Sequence, residues 1–381
     1  MVLRTSATIL HDGVVIGPAI RYAVDNGADV IEMSLGSTGT PAVLRNAVSY
    51  AEQQGVPVVA AMANESSTHP NSPTFLDPVI GVGAIVPDAM PLADDFLVKG
   101  GFANYGPILD VVAPSDITTT KYGGGYSLNG GTSSATPEVA GVAALVISWA
   151  QALGLSLGSE EVTQIPRMSA QGPHGASSDE PHTGTSQYRY RAGCDTWTGW
   201  GRVDAAAAVA MVTADGSEVP PVADIDSPDW YQNVRGTVAV KGLVSAHAGN
   251  GSYSVKLYLG QGTQPSTLTL VKSFIGTTMF GGTLAKLDTS TLAPGRGRSS
   301  SGSRTPEGTK ARTARRSWST ATHRSAPGSP GRSGAAWSPV RSSPTSPATG
   351  SRSSSWPMRA AGCTPSTERG RSSAVGRWSR T

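Results

Sequence analysis

Residues 129–141 read Asn-Gly-Gly-Thr-Ser-Ser-Ala-Thr-Pro-Glu-Val-Ala-Gly and predict a glycine-rich turn that runs directly into an apolar helix. Gly130 and Gly131 allow positive φ or a close approach to a ligand. The following residues are apolar nearly all round, as in a helix buried in a large core. Pro137 fits the first turn, where a missing N–H costs no helical bond. Ser133 is therefore predicted at a helix N-terminus, which favours developing negative charge.

This position of Ser133 fits two explanations. A nucleophilic serine needs oxyanion donors beside it, whereas a serine can also simply cap the helix. For an isolated Gly-Thr-Ser the cap is the better explanation. The whole string, however, resembles the nucleophile motif of the subtilisin-like serine proteases, Gly-Thr-Ser-x-Ala-x-Pro-x-Val-Ala-Gly. The resemblance implies that Ser133 is the nucleophile of a serine endopeptidase.

The segments upstream alternate between helical and strand patterns. Apolar spacing predicts helices at about 14–26 and 41–54, and buried strands at about 28–36, 56–61 and 79–84. This order predicts an α/β fold with a parallel, doubly wound sheet covered on both faces. The resemblance implies an incomplete subtilisin-like sheet, and it covers about residues 1–212, including the closing Gly-x-Gly-x-Val-x-Ala at 199–205.

Further site residues follow from the same resemblance. Ser34, Leu35 and Gly36 match the family's substrate-binding strand, and Asn64 matches the asparagine that donates to the oxyanion. Without the resemblance, Asn64 is a turn residue after a strand, and Ser34–Gly36 is an ordinary strand end. Ala63 departs from the family, which usually has glycine there, so the local backbone is expected to be less free.

The other two members of the family's triad, an aspartate and a histidine, should precede the serine. No Asp-Thr-Gly, Asp-Ser-Gly or His-Gly-Thr-His string occurs, and His11 and His69 do not match in context or order. His174 and His182 follow Ser133 and also break the order. We therefore expect an N-terminally truncated catalytic domain with a weak nucleophile. A non-catalytic peptide-binding pseudoprotease is the alternative.

Downstream of residue 212 the composition changes twice. Residues 213–222 are a predicted linker, and 223–294 carry strand patterns and turn signals that suggest a partial immunoglobulin-like β-sandwich. Residues 1–290 have a net charge of −11 and residues 291–381 of +14. The segment 295–381, rich in Arg, Ser, Gly and Pro, is predicted to be disordered. It is either a genuine basic segment able to attract nucleic acid, or an out-of-frame translation.

Composition sets the expected partners. No run is long and apolar enough to span a membrane, and no signal peptide is recognisable. We expect a polypeptide substrate and no membrane partner. Nucleic acid is not an expected partner, except for electrostatic attraction to the basic segment 295–381. The resemblance implies extracellular action. It also implies calcium as a family ligand, but no clustered carboxylate loop allows ligands to be named, and no metal site is predicted.

Overall fold

The computed structural model describes residues 1–6, 12–87, 98–172, 194–229, 232–247, 252–261, 267–292, 295–304 and 315–320. The helices are α1 (Gly13–Asp25), α2 (Ala42–Gln53), α3 (Thr132–Ala152), α4 (Ser159–Ser169) and α5 (Ala205–Ala210). The first group of strands is β1 (Ile31–Met33), β2 (Val58–Ala61), β3 (Val79–Val86), β4 (Val98–Lys99), β5 (Val111–Pro114), β6 (Ile117–Thr120) and β7 (Tyr126–Asn129). The second group is β8 (Val222–Ala223), β9 (Asn233–Val234), β10 (Thr237–Ser245), β11 (Tyr253–Gln261), β12 (Thr269–Gly276), β13 (Phe280–Asp288), β14 (Gly295–Arg304) and β15 (Arg315–Thr320).

The first strands form a five-stranded sheet that is mainly parallel. β1 pairs with β2, β2 with β3, and β3 with β5, all in parallel, while the short β4 pairs antiparallel with β3. Every residue of β2 and nearly every residue of β3 is buried. Continuous apolar strands of this kind occur where helices cover both faces of a sheet. The predicted α/β fold with a parallel sheet is confirmed.

Alternate residues of β2 show the two covered faces. Val58 and Ala60 belong to the core beneath α1 and α2, which includes Leu44. Val59 belongs to the opposite core with Ala135 of α3. Because successive side chains of a strand point to opposite faces, one short strand contributes to both cores.

The helix boundaries predicted from capping signals lie within one residue of those observed. Asp12 caps α1 by accepting a hydrogen bond of 2.9 Å from the Val14 N–H, and α1 ends at Asp25 before Gly27, whose φ is +77°. The α2 helix begins after Pro41. These signals are local, since each depends on backbone groups within one turn.

The α3 helix differs from the prediction on one face. Ala135, Val139 and Val146 are buried as expected, but Leu145 and Trp149 are 54% and 43% exposed. Trp149 is partly covered by the segment after α5, since its Nε1 donates to the Val212 carbonyl oxygen at 3.0 Å. Among the described helices, none combines the length and the apolar character needed to cross a bilayer.

The second group of strands forms two antiparallel sheets, apart from one parallel pair. One sheet has the order β13-β10-β8, and the other has the order β12-β11-β14-β15-β9, in which β15 and β9 run parallel. Buried residues of both sheets meet in a shared core that includes Val240 and Leu257. The assignment of 223–294 to an immunoglobulin-like module stays a prediction.

Two segments of the tail, whose predicted disorder stays a prediction, form strands. β14 pairs with β11 along eight residue pairs, and β15 pairs with β14 along six. Sheet ladders are made by backbone N–H and C=O groups, so a run of serine and arginine can extend an available strand edge despite its composition. Residues 305–314 and 321–381 lie outside the described residues.

The Glu138 carboxyl on α3 makes stability depend on pH. Burial raises the pKa of Glu138 to about 7. The folded-state pKa of Glu138 lies above its unfolded value. The stabilising contribution of the protonated carboxyl is therefore complete below about pH 4.5 and is lost as the pH rises through about 7. We predict that Glu138→Gln reduces the fall in Tm between pH 5 and pH 8.

Thermal unfolding of wild type and of Glu138→Gln between pH 5 and pH 8 measures the fall in Tm. Glu218→Gln, at an exposed position in the predicted linker, is the matched control and should leave the fall unchanged. An equal fall in Tm for wild type and Glu138→Gln would contradict the prediction.

Candidate active site

Ser133 is the second residue of α3, directly after the glycine-rich turn. The hairpin of β6 and β7 leads into this turn, and Gly131 is the N-cap, with a φ of +88° and no side-chain cap hydrogen bond. The alternative in which Ser133 caps the helix is therefore wrong. Ser115 Oγ donates to the Gly131 carbonyl oxygen at 3.1 Å and fixes the turn. The first turn of α3, which carries the Ser133 hydroxyl, is therefore fixed in position.

Asn64 lies across the start of α3. Its Oδ1 accepts a hydrogen bond of 2.9 Å from the Thr132 N–H and one of 3.1 Å from the Thr132 hydroxyl. A Cβ atom on Gly131 would lie 3.2 Å from Asn64 Nδ2, so the glycine leaves room for the amide. With Oδ1 held by Thr132, Nδ2 is the group of this side chain able to donate.

The predicted substrate strand also meets the helix start. Ser34 Oγ donates to the Ser133 carbonyl oxygen at 2.8 Å, and Ser133 Oγ donates to the Ser34 carbonyl oxygen at 3.3 Å. The same Ser34 hydroxyl lies within hydrogen-bonding distance of the Glu32 carboxyl, and its single proton serves one of these two acceptors at a time. Burial raises the pKa of the Glu32 carboxyl, and this hydrogen bond opposes the rise. Residues 99 positions apart in the chain are thereby in direct contact.

The segment after Ser34 is fixed by packing against the core, by a backbone bridge and by a close approach to Asn71. Leu35 packs against the core of α1 and α2, and Ser37 forms an antiparallel bridge with Ser72. Gly36 is required by a close approach, because a Cβ there would lie 2.0 Å from Asn71 Nδ2. Ser34 and Gly36 are exposed. Since β1 pairs only with β2 among the described strands, its other edge has no strand against it.

No histidine of the described residues contacts Ser133. His69 has Nδ1 3.0 Å from the Pro70 carbonyl oxygen, and His247 has Nδ1 2.9 Å from Glu161 Oε1. The hydroxyl of Ser133 donates to the Ser34 carbonyl, and no carboxylate of the described part accepts from it. His11, His174 and His182 lie outside the described residues.

Asn104 positions the loop that carries Asn64, a role that the sequence did not reveal. Its Oδ1 accepts from the N–H groups of Glu65 and Ser67 at 3.0 and 3.1 Å, and its Nδ2 donates to Glu65 Oε2 at 2.6 Å. Asn104 is only 1% exposed. Spacing could not show this role, because the partners are 37 and 39 residues away in the chain.

Asp110 is placed away from Ser133, in the core of the fold. Its Oδ2 accepts from the Gly81 N–H at 2.8 Å, and its Oδ1 lies 2.9 Å from Arg167 Nε. These contacts join β3 to α4. They give Asp110 a structural role.

Comparison with known proteins identifies related sequences. The family model described as "Subtilase family" matches residues 12–201. A thermophilic serine proteinase from Bacillus sp. (strain AK1) is 44% identical over 134 residues, covering 35% of this chain and 31% of that protein. Thermitase from Thermoactinomyces vulgaris is 40% identical over 134 residues, covering 35% of this chain and 45% of thermitase. The matched part thus spans less than half the length of these two relatives.

A likeness to solved structures was also found. The prenylagaramide maturation protease PagA is 25% identical, with a TM-score of 0.46, over 55% of this chain and 72% of that chain. The self-cleaved protease domain of PatA is 28% identical, with a TM-score of 0.43, over 54% of this chain and 71% of that chain.

Ala63, directly before Asn64, has a strained backbone. Its φ is +75°, in the left-handed region that favours glycine. The left-handed conformation destabilises an L-residue by about 1–2 kcal/mol. Glycine relieves this strain, but its greater freedom in the unfolded state offsets part of the resulting stabilisation. We predict that Ala63→Gly raises the free energy of unfolding by about 1 kcal/mol, measured by urea titration. Ala61→Gly, in the extended and buried β2, should lower it.

Equal destabilisation by Ala63→Gly and Ala61→Gly would contradict this account of the backbone. Such a result would mean that the left-handed conformation of Ala63 is not retained in solution.

Proposed function

We propose that this chain, whose residues 12–201 belong to the subtilase family, carries the nucleophile and the oxyanion donor of a serine endopeptidase. Ser133 is the nucleophile, and Asn64 Nδ2 is the side-chain donor to the oxyanion. The observation that supports this most strongly is the attachment of Asn64 to the first residue of α3, one residue from Ser133. The substrate is a polypeptide, and the expected place of action is extracellular.

The reaction would begin with attack of Ser133 Oγ on the scissile carbonyl carbon. A C–O bond forms, the carbonyl electron pair moves to the oxygen, and the hydroxyl proton passes to a base. The Asn64 amide and the Ser133 N–H stabilise the resulting oxyanion, helped by the positive end of the α3 dipole. The base then returns this proton to the nitrogen, the carbonyl re-forms and the C–N bond breaks, so that the amine leaves an acyl-enzyme on Ser133, which water hydrolyses.

Residues 34–36 would hold the substrate as an added strand. Ser34 and Gly36 are exposed at the free edge of the sheet, and main-chain hydrogen bonds to such an edge bind extended peptides without regard to most side chains. The hydrogen bond from Ser133 Oγ to the Ser34 carbonyl has to open before attack. Peptide binding at this strand would compete for the same carbonyl.

The proposed activity of this chain by itself is low. A serine hydroxyl is a weak nucleophile until an adjacent base accepts its proton. Among the described residues, the hydrogen-bond partners of the Ser133 side chain are limited to a backbone carbonyl. Oxyanion donors and substrate binding alone retain only a small part of the rate. A non-catalytic peptide-binding role is the second candidate, favoured by the exposed strand edge.

Covalent labelling tests the state of Ser133. We predict that a fluorophosphonate probe labels the purified chain slowly or not at all at pH 7.5, with Ser133→Ala as the matched control for background. Intact-mass spectrometry measures the extent of labelling. Rapid labelling that disappears in Ser133→Ala would show that a base is present and would contradict the proposed low activity.

Peptide binding separates the two candidates. A retained cleft should bind a fluorescent extended peptide, and Gly36→Pro should weaken this binding because it removes a main-chain donor. Ser133→Ala should keep the binding under either candidate. Peptide binding combined with absent labelling, even when a general base is added to the buffer, would favour the non-catalytic role.

A further inference from the structure

Three helices end at one cavity, which we call the helix-end cavity. α1 ends at Asp25, α2 at Gln53 and α3 at Ala152. The cavity has a volume of about 690 Å³. Cavities of this size are typical of sites for small organic molecules. Residues at or next to all three helix ends line it: Asp25, Gly27, Gln54, Gly55 and Gln151.

The helix-end cavity is separate from the candidate active site. Its lining residues Asp29 and Val56 precede β1 and β2. Ser34 and Asn64 follow the same two strands. Because β1 and β2 run parallel, their amino ends lie at one edge of the sheet and their carboxyl ends at the opposite edge. The cavity and Ser133 are therefore at opposite ends of these strands.

The three helices end in the same way. A glycine in the left-handed region follows each of them, with φ between +75° and +77°: Gly27, Gly55 and Gly154. The next residue then donates back into the helix, as the Val56 N–H does to the Ala51 carbonyl oxygen at 2.8 Å. This ending satisfies some of the last carbonyl groups. The peptide dipoles of each helix still add up to a partial negative charge at its C-terminal end.

The helix ends and two carboxylates together make the cavity negative. None of the three helices has a basic residue in its last turn, where lysine or arginine commonly offsets the dipole. Asp25 and Asp29 belong to the lining, and no described lining residue is basic. The Arg21 guanidinium lies outside the lining and stacks on the Tyr50 ring at 4.2 Å. A cation in the cavity would therefore be attracted by several negative groups at once.

The Asp29 carboxylate is available to a ligand. It is exposed, and its side chain forms no hydrogen bond or ion pair with another described residue. Asp25 Oδ1 accepts a hydrogen bond of 2.6 Å from the Tyr50 hydroxyl, which orients the second carboxylate.

The rest of the lining is largely apolar. Its larger apolar residues are buried or half-buried: Val24, Val56, Ile147, Leu155 and Leu157. The polar lining residues Gln54, Gln151 and Ser156 are exposed. The cavity thus combines an apolar interior with a polar and negative rim.

We propose that the helix-end cavity binds an organic cation, in which an ammonium or guanidinium group is attached to an apolar group such as a phenyl ring. The charged nitrogen lies beside Asp29 and Asp25, close to the helix C-termini. The apolar group contacts Val56, Ile147 and Leu155. A neutral molecule leaves the negative rim unpaired, and an inorganic cation leaves the apolar interior unused. A free arylalkylamine and an arginine next to an aromatic side chain of a peptide both have the required chemistry.

Titration of the full chain with 2-phenylethylamine, a cation at pH 7.5, tests the proposal. We expect one bound amine per chain by calorimetry and a rise in Tm, because a ligand that binds only the folded state stabilises it. 2-Phenylethanol lacks the charge and should bind about tenfold more weakly, and 3-phenylpropionate should not bind. Tighter binding of acetyl-Arg-Trp-amide than of 2-phenylethylamine would assign the cation to a peptide, and the reverse order would assign it to a free amine.

Variants assign the binding to the helix-end cavity. Asp29→Asn should weaken binding of 2-phenylethylamine about fivefold or more through loss of one charge. Ser156→Trp should block it, because the larger side chain occupies the mouth of the cavity. Glu218→Gln and Ser148→Trp, at exposed positions outside the lining, are the matched controls and should bind as wild type does.

Three results would overturn the proposal. These are absence of binding by wild type, equal binding of 2-phenylethanol and 2-phenylethylamine, and undiminished binding by either Asp29→Asn or Ser156→Trp.

Discussion

The pair of hydrogen bonds from Thr132 to Asn64 Oδ1 is the contact on which the candidate site depends. It attaches the loop after β2 to the first residue of α3, and so joins β2 to the helix that carries Ser133. One amide oxygen accepts both bonds, which orients the Asn64 side chain and leaves its Nδ2 free to face a substrate. Asn104 supports the arrangement from the other side of the loop. The proposed nucleophile and the proposed oxyanion donor are thereby placed together, an arrangement that would lower the reorganisation needed in the transition state.

Helix starts, helix ends and the buried parallel strands were predictable because their signals are local or periodic. Ser133 and Asn64 were predictable only through the resemblance, since each residue alone has an ordinary explanation as a cap or a turn residue. The Ser34–Ser133 contact was not predicted, because 99 positions separate the two residues and the fold alone brings them together. The helix-end cavity was not predictable either, because the fold alone brings the ends of α1, α2 and α3 together. Composition gave no signal for β14 and β15, since their strands depend on backbone pairing of β14 with β11 and of β15 with β14.

Around Ser133 the described residues provide the proposed nucleophile, the proposed oxyanion donor and an open strand edge, but no base. A small molecule that accepts one proton could supply this function. The left-handed φ of Ala63, directly before Asn64, shows that the fold tolerates a local cost beside the candidate site.

Rescue by imidazole tests most directly whether Ser133 and Asn64 form a preassembled pair that lacks only its base. The measurement is the rate of fluorophosphonate attachment to Ser133 with and without free imidazole, in wild type and in Asn64→Ala. Imidazole should accelerate attachment to wild type. Asn64→Ala should lose most of this acceleration, since removal of one oxyanion donor typically costs about 10²–10³ in kcat, a figure that comes from subtilisin itself. An equal rate for wild type and Asn64→Ala, or no response to imidazole in either, would contradict the account.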